Sequence, residues 1–161
     1  MFHARSVSSL FFLVCLAAVL LFSGCENDPD NGSTSGLNTD LIGTWLDPNE
    51  FGTDGYTVEA NRVRYISDWF SFAGSIRHVE NFSNSAGVII IEYDSQYNNP
   101  DGNFIGIFFR SLNPGVSVQM GVAWTEDGAE ESTLNAAMAA FTQGNEGTYM
   151  SFYGTYLWSV D

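Results

Sequence analysis

Apolar side chains recur at every second position through most of this chain, and that period commits it to strands with one buried face. Val116, Val118, Met120, Val122 and Trp124 alternate with Ser117, Gln119, Gly121 and Ala123. Tyr56, Val58 and Ala60 alternate with Thr57 and Glu59, and Val63 and Tyr65 with Arg62 and Arg64. Near the end, Met150, Phe152, Gly154, Tyr156 and Trp158 fall on one face. Val88–Ile91 and Phe104–Phe109 are apolar on both faces. Such strands are covered on both sides, or line a cavity on one side and meet packing on the other.

Turn signals punctuate these runs. Asn61 marks a tight hairpin, and Asn81 to Gly87 is a mostly polar turn. Asn98-Asn99-Pro100-Asp101-Gly102-Asn103 and Asn113-Pro114-Gly115 are strong loop signals. The spacing predicts about eight strands, near residues 42–47, 55–60, 62–67, 70–80, 87–94, 103–111, 116–124 and 147–158, paired antiparallel because the links are short. One segment breaks the pattern: Leu134, Ala137, Met138 and Phe141 form a helical stripe, which predicts an amphipathic helix near 130–143. Asp127 followed by Glu130 has the form of a capping box, and Gly144 is a stop. An all-β sheet of this size resolves its exposed edges by closing into an up-and-down barrel. A more open sheet packed on the helix is the alternative.

The N-terminus has a different character. Met1-Phe2-His3-Ala4-Arg5 carries a small positive charge, and Leu10 to Phe22 holds no charged residue. That run is too short for a spanning helix, which needs about 20 apolar residues, and suits a signal peptide. It ends Leu21-Phe22-Ser23-Gly24-Cys25. This layout resembles the lipobox of bacterial lipoproteins, with Phe22 where the family prefers leucine. The resemblance implies cleavage after Gly24, a diacylglycerol on the Cys25 sulfur and an acyl chain such as palmitate on its amine. Two or more chains anchor stably where one does not. Residues 1–24 are then the signal, 25–40 the lipidated cysteine and a polar tether, and 41–161 the domain. The implied location is the cell envelope, on a membrane and facing the periplasm or the exterior.

Two cysteines are present, and Cys15 lies within the signal, so Cys25 alone remains in a mature chain. No disulfide, thiolate nucleophile or zinc site is then available. Of the 5 basic residues none is lysine, and one, Arg5, leaves with the signal. Four arginines then face 19 acids. So acidic a chain is repelled by phosphates, which excludes nucleic acid as a partner.

Leu41-Ile42-Gly43-Thr44-Trp45 resembles the Gly-x-Trp opening of lipocalins and their calycin relatives. The resemblance rests on Gly43 and Trp45 and on the order of elements. It implies an eight-stranded barrel whose Trp plugs the closed end, with a late helix against the outer wall. The family's basic residue on the last strand has no counterpart in 146–161, and its Thr-Asp-Tyr motif is not apparent.

Catalytic equipment is sparse. His78 is the one histidine after the signal and has no nucleophile motif beside it. Asp68, Glu80, Glu92, Asp94, Asp101, Glu126 and Asp127 offer carboxylates for a glycosidase-like pair, whose separation the sequence does not fix. The oxygen-rich stretch Asp94–Gly102 lacks the terminal bidentate Glu of an EF-hand and reads as a hairpin loop. No catalytic residue, metal ligand or cofactor is therefore assigned. The aromatic residues are more informative. Trp69, Phe72, Tyr93, Phe104 and Phe108 are the candidate ligand-binding side chains, because one face of a small barrel cannot hold every ring. The leading expectation is a non-enzymatic lipoprotein that binds a small apolar or amphipathic ligand in its barrel. A solid barrel displaying a surface to an envelope protein comes second, and a carboxylate hydrolase third.

Overall fold

The computed structural model describes residues 36–47, 54–68, 71–95, 103–125, 128–149 and 156–161. Eight strands follow one another around a closed barrel, each antiparallel to its neighbours. They are β1 (Gly43–Leu46), β2 (Gly55–Val58), β3 (Arg62–Ile66), β4 (Ser71–Ser83), β5 (Ala86–Tyr93), β6 (Phe104–Asn113), β7 (Ser117–Val122) and β8 (Leu157–Ser159). β8 pairs with both β7 and β1, which leaves no open edge. The closed barrel, and not the open sheet, is the fold. A helix, α1 (Leu134–Ala140), precedes the last strand.

Register decides which alternate residues face inward. Trp45 lies opposite Tyr56, Tyr56 opposite Tyr65, and Tyr65 opposite Phe72. Ile76 meets Ile91, and Ile91 meets Ile105. Phe109 meets Met120, and Val118 meets Leu157. These positions share the inner face. β4 keeps it in register through a bulge: Ile76 pairs with Ile91 and His78 with Ile90, leaving Arg77 as the extra residue. The arginines occupy the outer face. Arg62 pairs there with Asp94, and Arg77 with Glu92.

The two-sided apolar strands are covered on both sides. Val88, Ile90 and Phe108 point outward from β5 and β6 yet are 0 % exposed. Their cover is Ala137 of α1 and the Phe141 that follows it, both fully buried. The Phe141 ring stands edge-on to Phe108, with centroids 6.4 Å apart. Gly106 makes this contact possible: a Cβ there would stand 2.7 Å from Phe141 Cγ.

The helix begins later than the predicted capping box. Its N-cap is Thr133, whose hydroxyl accepts from the Ala136 N–H at 3.2 Å. Glu131 is drawn into a strand bridge instead, exchanging backbone hydrogen bonds with Phe104 at 2.9 and 3.0 Å. That extended pairing excludes a helical turn at Glu130. Asp127 lies outside the described residues. The last strand is also shorter than 147–158. Glu146–Tyr149 form a helical turn, α2, and only Leu157–Ser159 are strand, with 150–155 outside the described residues. Tyr156 and Trp158 point outward and are each 46 % exposed, while Leu157 is buried inside. An apolar residue on each face left the alternation unable to choose, and pairing with Val118 chose Leu157.

Short links join β2 to β3, β4 to β5 and β6 to β7 at one end of the barrel. The connections 47–54, 67–70, 94–103 and 123–156 all leave from the other. The short-link end is plugged. A 3-10 turn, Thr39–Leu41, places Leu41 at 0 % exposure, and the buried Trp45 Nε1 donates to the Leu41 carbonyl at 2.8 Å. Beside this plug the Asp161 carboxylate accepts from the Thr44 N–H at 2.6 Å. That carboxylate lies against Gly43, whose φ of +149° favours glycine. Residues 36–40, read as tether from composition, are held to this end: Asn81 Nδ2 donates to the Gly36 carbonyl and Asn38 Nδ2 to the Asn84 carbonyl.

Candidate ligand-binding site

The lower barrel interior is filled. Val58, Val63, Ile89, Ile91, Ile105, Ile107, Phe109 and Val118 are 0–1 % exposed. Side chains lining a cavity large enough for a ligand would keep more surface than that. The deep ligand cavity expected of a calyx is therefore occupied, around these residues, by aliphatic side chains and Phe109.

The opposite end, from which the long connections leave, has different chemistry. Tyr56 of β2, Tyr65 of β3, Phe72 of β4 and Tyr93 of β5 converge there as a continuous ring cluster. Tyr56 and Tyr65 are 4.8 Å apart by centroid, Tyr65 stacks on Phe72 at 5.3 Å, and Phe72 meets Tyr93 edge-on at 5.6 Å. Cross-strand pairing produces the first two contacts directly, because directly opposed residues on one face are nearest neighbours. Tyr93 joins from the diagonal position, opposite Gly74. Tyr56 and Phe72 are buried, whereas Tyr65 and Tyr93 are half-buried. The cluster thus has a packed floor and two partly open rings.

Burial sets the chemistry of its hydroxyls. It pushes the Tyr56 phenol well above its ordinary value, with the nearby Tyr65 adding to the shift and the Val122 backbone N–H partly opposing it. Burial also raises Tyr65, opposed by a hydrogen bond from Ser67 and reinforced by the Asp54 carboxylate. Tyr93 is raised by burial and then by Glu130. All three phenols stay protonated across the physiological range and can donate or accept hydrogen bonds. Asp54 and Glu130 stand at the rim beside the two more accessible tyrosines.

Of the five ring residues expected to bind a ligand, Phe72 and Tyr93 belong to this cluster. Phe104 and Phe108 are on the outer face of β6, where Phe108 lies under Phe141 and Phe82. They cannot share a pocket with the other two. Trp69 falls outside the described residues, in the connection just before Phe72. Tyr56 and Tyr65 are the members that alternation alone missed. The hairpin at Asn61 carried the signal, since counting outward from a two-residue turn pairs Val58 with Val63 and Tyr56 with Tyr65.

The remaining candidates are dispersed. His78 faces outward from β4, opposite Ile90. Asp94, which opens the oxygen-rich stretch Asp94–Gly102, accepts from Arg62, and Glu92 accepts from Arg77. Asp101, Glu126 and Asp127 fall outside the described residues. Among the described residues, no group of three or more His, Cys, Asp or Glu side chains could hold a metal ion. A second cleft, of about 500 Å³, lies at the plugged end and is lined by Asn38, Asp40, Asn81, Ser83 and Asn84. Its Asn38 and Asn81 amides already hold the N-terminal segment. Comparison with protein-family models, curated proteins and solved structures gave no match.

Proposed function

We propose that this protein is a lipid-anchored envelope protein, attached through Cys25, that binds a small amphipathic ligand at the barrel mouth and performs no chemistry on it. One observation carries the reading: rings from four successive strands gather at the end where the long connections meet. Two of them remain partly open over a floor that is fully packed. Core packing alone does not require three tyrosines there. Apolar bodies with polar tips suit a surface that must contact both a ligand and water. The filled lower barrel makes the site a shallow cup, so the ligand is small or is held by one end.

NMR titration of the folded protein with small aromatic amphiphiles tests this. The ring resonances of Tyr65 and Tyr93 shift on binding, while those of Phe109 do not. A ligand that moves only Phe109, or none that moves the tyrosines, defeats the proposal. Mass spectrometry of the mature N-terminus tests the anchor, and an unmodified Cys25 thiol removes it.

The filled interior favours a second reading, a barrel that serves as a display surface for an envelope protein. Ile66, Tyr156, Trp158 and Val160 point outward and are 42–57 % exposed. Leu46 lies between Ile66 and Trp158 across β1 and β2. Under this reading, replacing Trp158 and Val160 with serine shifts the native assembly size of the envelope-extracted protein and leaves mouth titrations unchanged.

A further inference from the structure

The mouth differs from the rest of the chain in charge. Among the described residues of the four connections at that end, Asp47, Asp54, Asp68, Glu130, Glu131 and Glu146 are acidic, besides the Asp94 held by Arg62, and none is lysine, arginine or histidine. The three short links at the plugged end contain one acid, Glu59. The arginines do not compensate from inside the barrel. Arg62 and Arg64 alternate with the inward Val63 and Tyr65 and so face outward, and Arg62 and Arg77 are bound to Asp94 and Glu92 on the outer wall. Arg110, also outward, donates to Gln119 at 3.1 Å. An anionic ligand at the tyrosine cluster would therefore find no positive side chain and many negative ones.

An organic cation meets the opposite situation. Aromatic ring faces attract ammonium groups electrostatically, most strongly where water is partly excluded. Tyr65 and Tyr93 are half-buried, and an acid stands near each. Asp54 accepts from the Asp68 N–H at 3.3 Å just beyond the Tyr65 strand. Glu130, which accepts from the Ala129 N–H, adjoins the Glu131 that is hydrogen-bonded through Asn103 to the Tyr93 strand. The surrounding acids create a field that draws cations toward the mouth. We propose that the ligand of this mouth is a small organic cation, an ammonium group carried on an apolar or aromatic body. The ammonium sits against Tyr65 and Tyr93 between Asp54 and Glu130, and the apolar body covers Phe72. This inference rests on the proposed mouth site and specifies the class of ligand it takes.

Three soluble probes of similar size separate the possibilities: benzyltrimethylammonium, benzyl alcohol and benzoate. Each is titrated into the folded protein while the ring resonances of Tyr65 and Tyr93 are followed. The ammonium should bind about tenfold or more tightly than the alcohol, in keeping with a partly desolvated cation–π contact supported by charge. Benzoate should bind most weakly. The double substitution Asp54→Asn with Glu130→Gln should remove most of the preference for the ammonium while leaving alcohol binding intact, and added salt should weaken ammonium binding alone. If alcohol and ammonium bind equally at the tyrosines, the cation preference is wrong and the mouth remains a binding site. If no probe moves those resonances, both fall. Ammonium binding elsewhere on the acidic surface, with the two tyrosines unaffected, also overturns the inference.

Discussion

The two ends of this barrel are made from the same inward alternation but are filled by different side chains. Toward the plugged end the inner positions are aliphatic apart from Phe109, and the Trp45 indole, whose backbone lies opposite Tyr56, reaches down to the Leu41 carbonyl. At the mouth the inner positions of β2 to β5 are three tyrosines and a phenylalanine, two of them half-buried, with carboxylates at the rim, while Val122 and Leu157 complete the ring from β7 and β8. Aliphatic packing has no polar remainder and gains most from complete burial. Phenols keep a hydrogen-bonding tip, so they tolerate a site that is alternately wet and occupied. The contrast assigns stability to one end and recognition to the other.

The largest effect expected from breaking that division is at the plug. Trp45→Ala should destabilise the protein by about 3–5 kcal/mol, since it empties a large buried site and removes the bond to Leu41. Tyr93→Leu should cost only about 1 kcal/mol, because its ring is half-buried, while abolishing probe binding. Urea denaturation of both variants checks this, and equal losses would erase the contrast. Next comes the wall beneath the helix. Gly106→Val drives carbon into Phe141 and should cost about 1–3 kcal/mol. Faster amide exchange across 134–140, with β2 and β3 unaffected, would show that the helix clamps the wall and not the mouth.

Alkaline pH should weaken the mouth selectively. The Tyr56 and Tyr93 phenols have folded pKa values raised above their unfolded value of 10.0. Their contribution is fully present below that value. It declines as pH rises past it, because the unfolded chain then releases protons that the folded chain retains. Each such phenol steepens the loss by about 1.4 kcal/mol per pH unit. Tyr56→Phe should flatten the alkaline fall measured by denaturation between pH 9 and 11, whereas Trp45→Ala should lower stability without changing the slope. The smallest effect belongs to Asp161→Asn, which weakens the hydrogen bond to Thr44 at the exposed rim of the plug. A loss of about 0.5–1 kcal/mol is expected in the same measurement.

Much of this architecture was legible in the chain. Val118, Met120 and Val122 point inward as their alternation indicates, and the two-sided runs at Val88–Ile91 and Phe104–Phe109 are covered on both sides. Of the predicted helical stripe, Ala137 and the Phe141 that caps the helix are buried, Leu134 is half-buried and Met138 is exposed. The misses have a common cause. The Asp127–Glu130 capping box lost to a bridge between Glu131 and Phe104, residues 27 apart that no local pattern connects. The outward turn of Trp158 and inward turn of Leu157 depended on pairing with β7 and β1. Phe104 and Phe108 looked equivalent to Phe72 and Tyr93 because an apolar strand carries no mark saying which face meets the interior.

The sequence by itself determined the strand period, the positions of most turns, the amphipathic helix and the acidic, base-free composition of the mouth connections. These follow from local chemistry, namely residue spacing, turn propensity and charge. The number of strands and their exposed edges already favoured closure, whereas tertiary structure alone decided the face each ring occupies and the meeting of Tyr56, Tyr65, Phe72 and Tyr93. Those depend on register between strands distant in the chain, and register is set by the simultaneous burial of all eight, which no single segment encodes.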